Sequence, residues 1–153
     1  MGQQQLLLLV LATVIVGLAT VAGIQAFEQG QTRANQDALT QSAVKIASDI
    51  QAKAKEPSQF GGYDGSLSTA QGQVTLSALG YDTNGNNVYE TSDGECGISS
   101  GGSNTPSFTN GSEVSGASGT IVVTCTSQDN NVSAEINSLD PSGITSVAEV
   151  TGS

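Results

Sequence analysis

Leu6–Ile24 reads LLLLVLATVIVGLATVAGI, nineteen residues without a charge and, apart from Thr13 and Thr20, without a hydrogen-bonding side chain. A helix over this stretch is about 29 Å long, matching the hydrocarbon core of a bilayer. Three fates fit such a segment: a cleaved secretory signal, a permanent anchor, or a helix stored in the membrane that later moves into a polymer. A secretory signal calls for a basic start, whereas Met1, Gly2 and Gln3–Gln5 precede this run, with a small-residue site near Ala26. The cleaved signal therefore ranks last.

Working outward, the chain does not drop into a loop after Ile24. Residues 27–55 are rich in Ala, Gln, Lys and Glu and contain no Pro. Leu39, Ala43, Ile46, Ile50 and Ala54 recur at steps of three and four, which draws one apolar stripe along an amphipathic helix. Lys53 and Lys55 suit a helix C-terminus, and Pro57 with Gly61-Gly62 ends the element. The expectation is one helix of about 50 residues, roughly 75–80 Å long. Gly17, Gly23 and Gly30 are its weak points, each costing about 1 kcal/mol against Ala where water reaches the helix.

Beyond Pro57 the composition turns to Gly, Ser, Thr and Asn with short apolar alternations. Strands are expected over 73–81, 87–90, 119–126, 131–137 and 144–150, with a polar loop over 99–119. The fold class is α+β, a long N-terminal α-helix with a small antiparallel β-sheet head. Residues 1–56 form the helix, with 1–26 for membrane or filament core and 27–56 as amphipathic stem; residues 57–153 form the head.

Charge divides along the same line. Arg33, Lys45, Lys53 and Lys55 all precede Pro57 and are balanced there by Glu28, Asp37, Asp49 and Glu56. The ten carboxylates after Pro57 face no Lys or Arg, so the net charge of −10 belongs to the head. Such a polyanion repels phosphate, which excludes nucleic acid as a partner of the head.

The two cysteines, Cys96 and Cys125, fit one disulfide in an oxidising compartment, the alternative being two buried thiols. A bridge would close a loop of about 30 residues and stabilise a head too small to be secure alone by about 3–4 kcal/mol.

Asp82, Asn84, Asn86 and Glu90 place oxygen side chains at spacings that fit a calcium loop, calcium being the one cofactor to test. The competing reading is a hairpin turn about Asn84-Gly85 between strands ending at Tyr81 and starting near Val88. Asn110 and Asn131 stand in N-glycosylation sequons, against the plainer reading of unmodified polar segments. The chain has no His, and its serines lack an evident activating base, so no enzymatic activity is expected.

The run Leu6–Ile24, the stripe of Leu39, Ala43, Ile46 and Ile50, and the pair Cys96 and Cys125 together resemble the type IV pilin superfamily. In that family a long helix lies half in a membrane and half under a β-sheet, commonly with a C-terminal disulfide loop. A prepilin peptidase cuts after a glycine, for which Gly2 stands here, and the new N-terminus is often methylated. The family's fifth mature residue is usually Glu; Gln3–Gln5 occupy this region of the chain.

The resemblance implies a subunit of a pilus-like filament at the cell surface, anchored in the inner membrane before pilus-assembly machinery moves it outward. Self-association into a helical homopolymer would run through Leu6, Leu9, Val14, Leu18, Val21 and Ile24. The alternative is a single-pass surface protein that never polymerises, or a pseudopilin of a secretion system.

Overall fold

The computed structural model describes residues 2–71, 73–99, 120–128 and 130–150. One α-helix, α1 (Gly2–Lys55), is followed by the single-turn α2 (Leu67–Ala70) and five strands. These are β1 (Val88–Glu90), β2 (Glu95–Ser99), β3 (Ile121–Thr126), β4 (Asn130–Ile136) and β5 (Ile144–Val150). They form one antiparallel sheet in sequence order, β1-β2-β3-β4-β5. The class is α+β, a long N-terminal helix with a small antiparallel sheet, as the sequence pattern leads one to expect.

The chain separates into two compact units, Met1–Ala34 and Asn35–Ser153, with the boundary inside α1. In the first unit α1 is helical throughout its described length, and the large apolar side chains from Leu6 to Phe27 are all exposed.

In the second unit the predicted stripe is the core. Leu39, Ala43, Ile46, Ala47, Ile50 and Ala54 are buried at no more than 1% exposure. They pack with Cys96 and Ile98 of β2, Ile121, Val123 and Cys125 of β3, and Val132, Ala134 and Ile136 of β4. Alternate strand residues face the same side of a sheet, so the in-register sets Ile98–Val123–Ala134 and Cys96–Cys125–Val132 present one apolar layer to the helix. Cys96 and Cys125 are directly opposed on β2 and β3 and form a disulfide.

Two strand expectations need correction. Residues 73–81 form turns: Val74 N–H donates to Ala70 O, Gly80 N–H to Ser77 O and Tyr81 N–H to Leu76 O, with a 3₁₀ turn at Ser77–Leu79. The physical reason is local competition. Thr75 Oγ1 accepts from the Ala78 N–H, capping the turn, and Gly80 adopts a φ of 87° that ends it.

There is thus no hairpin between a strand ending at Tyr81 and one starting at Val88. β1 instead pairs with β2, a strand that propensity hides because Gly97 lies in its middle. The sequence positions of the other strands agree within two residues, while most of the predicted 99–119 loop lies outside the described residues.

Candidate functional site

Within the first unit, Leu6, Leu9, Val14, Leu18, Val21 and Ile24 are each more than half exposed, as are the apolar residues between them. Their positions go round the whole helix, so no single face is reserved for packing within the chain. α1 is long and apolar enough to cross a membrane, and its apolar window is unburied. The polar atoms within the run are already satisfied: Thr13 Oγ1 donates to Val10 O at 2.9 Å and Thr20 Oγ1 to Gly17 O at 2.8 Å. Both hydroxyls therefore return to the backbone of their own helix, and the surface offered outward is uniformly apolar.

The second unit holds α1 to the rest of the head by polar anchors that the sequence pattern did not single out. Gln51 is 6% exposed, and its Nε2 donates to Ser138 O at 2.8 Å and Asp140 O at 3.0 Å. Tyr81 donates its hydroxyl to Asp49 Oδ2 at 2.5 Å, stacks edge-on against Tyr89, and lies under the Lys45 ammonium. Burial, and then the Asp49 carboxylate, push the Tyr81 phenol well above its ordinary range. Lys45 and Asp49 sit at i and i+4 on α1, which in the sequence read only as a solvated charge pair; what places Tyr81 over them is the 76–81 turn.

Asp82, Asn84 and Glu90 share a shallow depression with Thr83 and Tyr89, whereas Asn86 is not part of its lining. Asn84 organises the turn. Its Oδ1 accepts from the N–H groups of Asn86 and Val88, and its Nδ2 donates to Glu90 Oε1 at 3.1 Å. The oxygen that a calcium loop would direct at the ion is thus engaged by backbone donors. Among the described residues, no three His, Cys, Asp or Glu side chains come together as a metal cluster.

Asn131 lies inside β4, half-buried and paired with Thr126 on one side and Glu149 on the other. Asn110 lies outside the described residues. Compared with protein-family models, curated proteins and solved structures, the chain matches none.

Proposed function

We propose that this chain is a structural, non-catalytic subunit of a pilin-like extracellular filament, held in a membrane by α1 before assembly. One observation carries the reading. The same helix that exposes Leu6–Ile24 on every side continues without a break into the residues that form the core of the head. A plain anchor has no need of such continuity, since a flexible linker would tether a head equally well.

In the membrane, lipid covers the apolar surface. In a filament, the corresponding helices of other copies replace lipid, and open, non-closing contacts extend the assembly. Each Leu or Val moved from water into such a bundle contributes about 1.5–3 kcal/mol, so the interface requires no covalent link. The acidic heads form the outer wall, where mutual repulsion keeps filaments apart.

Val14→Glu and Leu18→Glu place an unpaired carboxylate in the bundle, at a cost of several kcal/mol. Electron microscopy of sheared cell-surface material is expected to show filaments for the unaltered chain and none for either variant. Normal filaments from Leu18→Glu would sink the proposal, and an unaltered chain that stays in the membrane fraction would favour the non-polymerising anchor or pseudopilin.

A further inference from the structure

The β1–β2 and β3–β4 turns lie at the same end of the meander, and between them is a cavity of about 500 Å³. Glu90, Asp93 and Glu95 supply three carboxylates to its lining, and Asn35, Thr126 and Ser127 add polar side chains. Gly94 makes the close approach possible: a Cβ there would strike the Thr126 carbonyl oxygen and press on Leu39 Cδ2, so only glycine lets the first turn lie against the end of β3. Glu95 and Thr126 are direct cross-strand partners, which puts the carboxylate and the hydroxyl side by side.

The oxygens of this cavity have an unfilled need. Thr126 is 2% exposed, and its Oγ1 has no hydrogen-bond partner; the same holds for the buried Ser127 Oγ and Asn35 Oδ1. Buried polar atoms are normally paired, and three unpaired oxygens beside three carboxylates describe a place for a cationic, multi-donor group. No such group exists in the head, because no Lys or Arg follows Pro57.

The stem holds all four cations. Lys53 is bonded to Glu56 at 2.8 Å and Lys45 lies over Tyr81, which leaves Arg33 and Lys55. Arg33 is exposed and lies two positions from Asn35 in α1, whereas Lys55 lies twenty away. Copies packed side by side with parallel helices and a small axial step therefore bring Arg33, not Lys55, level with a neighbour's cavity. Its planar guanidinium carries five N–H donors and no acceptor, the complement of this acceptor-rich site.

We infer that this cavity receives the guanidinium of Arg33 from a neighbouring copy of the chain, an inference that rests on the polymeric reading above. The contact would set the lateral register of heads in the filament and supply the cation that the head lacks.

The test uses two full-length variants co-assembled into filaments: Ala34→Cys on one, and Gln128→Cys, at the cavity rim, on the other. Both introduced positions are exposed, and the two natural cysteines are consumed by their disulfide. A short bismaleimide is expected to yield cross-linked dimers, and adding Arg33→Gln to the Ala34→Cys partner is expected to lower that yield at least fivefold, with Arg33→Lys intermediate. Filaments that form normally but give no dimers overturn the docking contact while leaving the polymer intact. So do dimers whose yield ignores Arg33→Gln. If the unaltered chain forms no filaments, the functional reading fails, and this contact fails with it.

Discussion

Gln51 is a polar residue inside the apolar stripe, and its position shows how a single side chain fixes the seating of a helix. Its amide satisfies two backbone carbonyls of the 138–140 segment that would otherwise be buried beside α1 without a donor. Gln51→Ala is expected to destabilise the head by about 1–3 kcal/mol, read by chemical denaturation of the detergent-solubilised chain, more than the loss of an average surface contact. Tyr81 makes a pH-dependent contribution. Because its phenol is raised above the ordinary value near 10.0, the folded state favours the protonated form. That stability is fully present below pH 10.0 and is lost as the pH climbs toward the folded-state value, so the unaltered head should lose stability in strong alkali. Tyr81→Phe should be weaker at neutral pH and flatter above pH 10.0, as thermal melts across that range would show. Neither contact was legible in the sequence, since both depend on which backbone segment arrives opposite α1; the sequence tells only that Gln51 and Asp49 flank the apolar stripe.

Among elements, α1 was the most legible and the 73–81 segment the least. The stripe from Leu39 to Ala54 is written in helical spacing, and no competing period is present. Over 73–81, Val74 and Leu76 alternate as in a strand and are both buried, yet burial came from turns packed on the core rather than from ladder pairing. β2 was hidden for the opposite reason: its five residues have little strand propensity of their own and are held by neighbours on both sides. The candidate cavity was equally invisible, because its lining joins two turns and one helix position that lie far apart in sequence. The disulfide between β2 and β3, spanning 29 residues, was foreseen as one of two options for the cysteine pair. Its reduction should cost about 3–4 kcal/mol, seen as a lower melting temperature in dithiothreitol than in its absence. The same shift should appear for Cys96→Ser with Cys125→Ser; an unchanged melt would mean that the hydrogen-bonded ladder alone holds β2 against β3.

At the scale of the molecule, charge and greasiness are segregated: apolar residues and every cation on the helix, uncompensated carboxylates on the head. Dispersal of filaments then depends on ionised heads. As the pH falls through about 4, where carboxylates protonate, filaments should gather into lateral bundles, visible by light scattering and negative-stain microscopy, and should separate again on return to neutral pH. Persistent dispersion at pH 3–4 would show that repulsion between heads is not what separates them. The strand order carries a consequence of another kind. Because each strand pairs only with its neighbours in sequence, the sheet is a chain of local hairpins with one longer closure, that of β2 onto β3. A head delivered across a membrane as an extended thread can therefore build itself in the order in which it emerges, each arriving strand finding its partner already in place, with little entropy spent on distant searches.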